Sequence, residues 1–217
     1  MRLDEALRRL ERLPDRLPEP PAALMPVILE GPQRTRIRLG DPGESIPQPA
    51  AVLVLLVAGS GGEARIVLTE RGIGGRHHSG EVSFPGGRAE PHDADPTATA
   101  LREAAEEIGL DAAAAGVRIL GSLEAVWIPV SGFRLTPVLA VAARRPRLVP
   151  SPAEVRRIVE APLTAFLPDA RIEMVEARIG ERLLRYGAYP IGGLMVWGAT
   201  ARVLGQLGAV LGAAQDP

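Results

Sequence analysis

Arg102-Glu103-Ala104-Ala105-Glu106-Glu107-Ile108-Gly109-Leu110 places three carboxylates, Glu103, Glu106 and Glu107, at spacings i, i+3 and i+4. In a helix those spacings bring all three onto one face, with side-chain origins about 5–6 Å apart. Like charges so arranged repel, and a hard divalent cation such as Mg²⁺ is the simplest reason to keep them together. A few residues upstream, Phe84-Pro85-Gly86-Gly87 forms a turn in which glycine lets the backbone approach a ligand closely. A glycine turn leading to a carboxylate-bearing helix points to metal-assisted phosphate chemistry.

The helix is legible without the chemistry. Asp95 suits the N-cap and Pro96 the first helical position. No glycine or proline interrupts Thr97 to Ile108, and Gly109 suits the left-handed residue that closes a helix. Leu101, Ala104, Ala105 and Ile108 form the stripe expected to face inward. The competing reading is an ordinary solvated, Glu-rich surface helix.

Gly87, Asp93 and the run from Arg102 to Leu110 together resemble the Nudix box, G-x5-E-x7-R-E-U-x-E-E-x-G-U with U aliphatic. The match is complete from Arg102 to Leu110 if Ala104 counts as aliphatic. Upstream, Asp93 replaces the glutamate, and eight residues rather than seven separate it from Arg102. A second run resembles the signature beside the box in coenzyme A pyrophosphatases: Leu68-Thr69-Glu70-Arg71, Arg76, Gly80, then Phe84 to Gly87. Val67 and Gly72 depart from it, and Trp197-Gly198-Ala199-Thr200-Ala201 is similar to a further run common in those proteins. The resemblance covers about residues 50–205.

It implies an α/β (α+β) fold, the Nudix α/β/α sandwich around a mixed β-sheet. It also implies Mg²⁺ or Mn²⁺ held by Glu103, Glu106 and Glu107 with the Gly86 carbonyl. Arg102 would orient a carboxylate. Glu154, in a Glu-Val pair that recurs in similar proteins, is the downstream candidate for taking the proton of the attacking water. Arg71 and Arg76 carry guanidinium forks suited to phosphate oxygens; the competing role is surface salt bridging. Gly87 and His78 join them as candidate substrate contacts, while His77 and His78 serve equally well to order the loop. The expected reaction is hydrolysis of a P–O–P bond in coenzyme A or a derivative, giving 3′,5′-ADP and 4′-phosphopantetheine or its acyl form. Another Nudix hydrolase, acting on ADP-ribose, NADH or a nucleoside triphosphate, is the alternative, and a non-catalytic ligand-binding regulator the third reading.

Composition agrees with one enzyme domain over 1–217, with 1–49 as an N-terminal helical extension. The formal net charge of −1 gives no bulk attraction to nucleic acid or anionic membrane. The absence of cysteine excludes disulfides and a thiol nucleophile. The N-terminus reads as an amphipathic helix to about Leu13 without a signal-peptide core, and Ala50–Gly59 is too short to span a bilayer; a cytoplasmic location follows as the expectation. The expected partner is a small, coenzyme A-like nucleotide, with neither nucleic acid nor membrane, and a homodimer is left open.

Along the chain, strands are expected at Ala51–Ala58, Arg65–Thr69, near Val82–Phe84, at Val117–Val126 and at Arg134–Ala142. Short helices are expected at Glu154–Glu160 and Leu163–Leu167. A hairpin from Ile172–Ala177 to Arg182–Tyr189 through Gly180-Glu181 follows, then a helix from about Gly193 to Leu211.

Overall fold

The computed structural model describes residues 1–11, 13–29, 35–36, 46–72, 81–129, 131–179 and 182–213. Helix α1 (Leu3–Leu10) is followed by two short strands, β1 (Val27–Ile28) and β2 (Thr35–Arg36). Next come β3 (Gln48–Ala58), β4 (Ala64–Arg71), β5 (Val82–Ser83), β6 (Gly86–Arg88) and helix α2 (Pro96–Ile108). A single turn of helix, α3 (Ala112–Ala115), leads to β7 (Val117–Ser122), β8 (Val126–Ile128), β9 (Phe133–Ala142) and β10 (Val155–Pro162). The chain closes with β11 (Glu173–Ile179), β12 (Arg182–Ile191), β13 (Leu194–Val196) and helix α4 (Gly198–Ala213).

The larger sheet runs β10-β4-β3-β9-β7, with β5 on β4, β6 on β3 and β8 on β9. β3 and β9 are parallel and the other pairs antiparallel, so the sheet is mixed. β3 is apolar at every position from Ala51 to Val57 because both of its faces are covered. Ala51, Leu53, Leu55 and Val57 pack with Ala100, Ala104 and Ile108 of α2. Val52, Val54 and Leu56 lie in the opposite cluster with Leu10 of α1 and Leu204 and Leu207 of α4. The helix–sheet–helix layering expected of an α/β/α sandwich is therefore present. The smaller sheet, β11-β12-β1-β2 with β13 on β12, includes the expected hairpin; its turn at Gly180-Glu181 lies outside the described residues.

Several expectations are corrected. Residues 155–162 form a strand, not a helix over Glu154–Glu160, since Val155, Ile158 and Val159 suit a pleated ladder and pair with β4. Leu163–Phe166 is a 3₁₀ turn. The strand expected from Val117 to Val126 breaks after Ser122, past a register shift at Gly121, where the Leu123 N–H turns to the Pro137 carbonyl at 3.0 Å. The last helix begins at Gly198 because Gly192 and Gly193, both at positive φ, turn the chain so that Leu194–Val196 pairs with β12. α1 stops at Leu10, and it is built into the core, with Ala6 and Leu10 buried. No helix among the described residues is long and apolar enough to cross a membrane.

α4 meets the Leu163–Phe166 turn at Gly208, where a Cβ would stand 1.8 Å from the Phe166 carbonyl oxygen. Gly208→Ala should therefore destabilise the fold by at least the 1–3 kcal/mol or so typical of overpacking, despite the better helix propensity of alanine. Urea unfolding measures it, and an unchanged midpoint would show that α4 does not press on that turn.

Candidate active site

α2 forms where its end signals place it. The Asp95 side chain accepts from the Ala98 N–H at 2.8 Å, Pro96 follows, and Gly109 closes the helix at φ 64°. The buried face is Thr99, Ala100, Ala104 and Ile108, while Ala105 is exposed and Leu101 half-buried. The expected stripe is thus rolled round, because alanines 100 and 104 let the helix settle closely on β3. That roll carries Glu103 and Glu107 over β6. A Cβ on Gly87 would come within 2.6 Å of the Glu103 carboxyl group, so a larger residue there would push that carboxylate from its place. The Gly86 N–H donates to Glu107 Oε2 at 3.2 Å. Gly86 and Gly87 thus lie beside Glu107 and Glu103, and Gly87 serves first as the seat of Glu103.

Arg102 gathers the rest. Its Nε and Nη2 both donate to Asp93 at 3.1 Å, a bidentate pair, and Nη2 also donates to the Arg88 carbonyl at 3.0 Å. Its Nη1 lies 3.0 Å from Glu103 Oε1 and 3.1 Å from Glu106 Oε2. The extra residue between Asp93 and Arg102 therefore does not uncouple them: the lengthened loop brings a side chain one methylene shorter than glutamate onto the same guanidinium. Asp93 also accepts from the Glu90 N–H at 2.9 Å and the Thr99 hydroxyl at 3.0 Å. Arg102 above all holds the Asp93 carboxyl well below the usual carboxylate range.

Glu107 differs in kind. Desolvation pushes its carboxyl up to about 7, the Gly86 N–H opposes, Glu103 and Glu154 push further, and Arg71 opposes. Burial also raises Glu103, with Arg102 pulling the other way. Glu154 lies in the loop before β10, exposed, its charge reaching both Glu103 and Glu107. Backbone bonds fix that loop: Ser151 N–H to the Glu107 carbonyl at 2.8 Å, and Gly72 N–H to the Glu154 carbonyl at 2.9 Å. Arg71 ends β4, opposite Val155. Arg76, His77, His78 and Gly80 lie outside the described residues.

Among the described residues the acidic groups are not gathered into a closed ligand cage, because Arg102 draws Glu103 and Glu106 to itself. The donor set nonetheless fits a hard divalent cation. Glu103 and Glu107 are both desolvated carboxylates, Glu107 raised further by Glu103 and Glu154, and a cation supplies the counter-charge that Arg102 gives to Glu103 but not to Glu107.

Two features escaped sequence reading. A cleft of about 800 Å³ opens beside Glu103, lined by Pro49, Ala51, Arg88, Asp93 and Thr136 among others. Glu70, buried on β4, is paired with Arg156 at 2.8 Å and with Arg157. A carboxylate just after the apolar run Ile66–Leu68, and two adjacent arginines downstream, were the available signal.

Two measurements test this electrostatic arrangement. A carboxyl with a folded-state pKa of about 7 against an ordinary 4.5 keeps its proton when folded and releases it when unfolded. Between those values stability must fall as pH rises. Metal-free Glu107→Gln should show a shallower decline in melting temperature over that window and a higher value above pH 7; parallel curves would show that Glu107 is not desolvated. Asp93→Ala should lower the melting temperature by several degrees, since Arg102 then loses its bidentate partner, and an unaltered value would deny the pair any structural role.

The NUDIX domain model matches residues 47–172. Nudix hydrolase 15, mitochondrial, of Arabidopsis thaliana is 40% identical over 170 residues, 76% of this chain and 59% of that protein. The chain spans little more than half the length of this relative and of the chloroplastic Nudix hydrolase 22 of the same plant. The Nudix hydrolase NudL of Pectobacterium atrosepticum is 33% identical over 177 residues, covering 80% of this chain and 90% of that one. Among solved structures, the Nudix hydrolase RenU from M. Smegmatis superposes with a TM-score of 0.46 at 22% identity, over 64% of this chain and 80% of that chain. A domain match over the greater part of the sequence, and a bacterial relative spanned almost end to end, establish that this chain belongs to the Nudix hydrolase family.

Proposed function

We propose that the protein hydrolyses the P–O–P bond of coenzyme A or its derivatives, releasing 3′,5′-ADP and 4′-phosphopantetheine or the acyl form. The observation that carries this reading is the position of Arg71. The first arginine of the run resembling the coenzyme A pyrophosphatase signature ends β4 beside the site, close enough for its charge to act on Glu107.

Glu103, Glu106 and Glu107, with the Gly86 carbonyl, are the groups to hold Mg²⁺ or Mn²⁺. When bound, the cation neutralises the diphosphate and makes a water acidic enough to attack phosphorus. Arg71 meets the diphosphate oxygens, where a planar fork suits two acceptors. Arg102 positions Glu103 and Glu106 without touching substrate. As water oxygen bonds to phosphorus and the bridging P–O bond breaks, the Glu154 carboxylate takes the water's proton. The Ser151 and Gly72 backbone bonds hold the Glu154 loop against α2 and β4 for that task.

Chromatography of the products from coenzyme A, acyl-coenzyme A, ADP-ribose and NADH with Mg²⁺ or Mn²⁺ tests the proposal. Coenzyme A should be the preferred substrate, and 3′,5′-ADP should appear in equal amount to 4′-phosphopantetheine. Preference for ADP-ribose or NADH would sink the coenzyme assignment. Glu106→Gln should retain its fold, as its side chain is 58% exposed, and lose about 10²-fold or more in kcat; wild-type turnover at saturating metal would remove it from the site.

A further inference from the structure

The register of four neighbouring strands builds a second surface beside the glutamates. Trp127 of β8 pairs with Arg134 of β9, and Arg134 with Pro49 of β3. Two residues along, Thr136 pairs with Ala51, and Ala51 with Gly87 of β6. Cross-strand partners share a face of the sheet, and successive residues alternate. Val126, Leu135, Ile128 and Phe133 belong to the cluster on the far side. Trp127, Arg134 and Thr136 therefore stand on the face that carries α2. Thr136, Pro49 and Ala51 line the 800 Å³ cleft next to Glu103, and Trp127 and Arg134 continue its floor outward.

Both side chains are unusual for their positions. The chain has two tryptophans, and Trp127 is half-buried and outside both hydrophobic clusters. Its ring tip lies toward Gly132, where an added Cβ would be 3.9 Å from Cη2. Arg134 is exposed, and among the described residues it has no carboxylate partner. A large flat ring beside an unpaired guanidinium matches the two halves of a phosphorylated nucleoside, since any base presents a π-face for stacking and a phosphate takes a bidentate fork. From β8 to β6 are three strand spacings, about 14 Å, so the platform lies to one side of the diphosphate position, opposite Arg71 on β4.

We propose that Trp127 and Arg134 bind the nucleoside half of the substrate, Trp127 stacking its base and Arg134 pairing with the phosphate on its ribose. This rests on the reading of the site as a nucleotide diphosphatase and adds where the nucleoside lies. The two residues set specificity and are remote from the bond broken.

Titration of the metal-free full-length protein with 3′,5′-ADP, read by tryptophan fluorescence, tests the platform independently of turnover. Wild type should quench. Trp127→Phe, which retains a ring and leaves Trp197 as an internal control, should lose the quench. Arg134→Ala should weaken binding about tenfold, more for 3′,5′-ADP than for 5′-AMP, and Arg134→Lys should restore part of it. In kinetics, Arg134→Ala should raise KM for coenzyme A with kcat little changed. Quenching that persists in Trp127→Phe, equal affinity in Arg134→Ala, or no quench in wild type would each overturn the proposal. If wild type cleaves coenzyme A yet the variants bind 3′,5′-ADP normally, the platform is wrong and the reaction stands. If coenzyme A is not cleaved while nucleotide quenches Trp127, the reaction assignment is wrong and the platform stands.

Discussion

The site depends on one guanidinium. Arg102 contacts Asp93 in the preceding loop, the Arg88 carbonyl at the end of β6, and Glu103 and Glu106 on its own helix. A rigid fork of five donors can meet that many acceptors at once, and a point charge on a flexible stem cannot. The contacts cross three elements, so they fix loop, strand and helix relative to one another. They also offset the repulsion that three glutamates on one ridge would otherwise exert.

Packing sets the chemistry from the other side. Ala100 and Ala104 are small enough for α2 to lie close on Ala51, Leu53 and Leu55, and the glycines of β6 admit the carboxylates. The same close approach removes water from Glu107 and raises its carboxyl. Burial that stabilises the sheet thus leaves a carboxylate whose charge is costly until a cation or an arginine answers it.

What could be read from sequence divides along physical lines. Asp95, Pro96 and Gly109 act through bonds within one helix end, so their spacing suffices to place α2. The apolar run Ala51–Val57 likewise declared a strand covered on both faces. The roll of α2, which exposes Ala105 rather than Ala100, depends on what lies opposite and has no local signature. Residues 155–162 carry a pattern that either a helix or a strand accepts, and pairing with β4 decides it. Trp127 was hidden for the same reason: its face follows from the register of β8 on β9, after the strand is interrupted at Leu123, where the backbone turns to Pro137. Asp93 could be located but not interpreted, since spacing alone does not reveal where a lengthened loop brings its side chain.

The pairing of β1 with β12 has a kinetic side. Val27 meets Arg185, and Ile28 meets Leu184, so an early piece of the chain finds its partner only when a late one has been made. During synthesis the edge of β1 must wait for β12, while β3 and β4 can already close their short turn and receive Ala6 and Leu10 of α1. Contacts between residues so far apart in sequence carry a large loop-closure entropy and slow folding. Assembly should proceed outward from the β3–β4 hairpin, to whose turn Met1 and Leu3 are hydrogen-bonded, with β1 fastened last, and the waiting species is the one exposed to a chaperone or a protease.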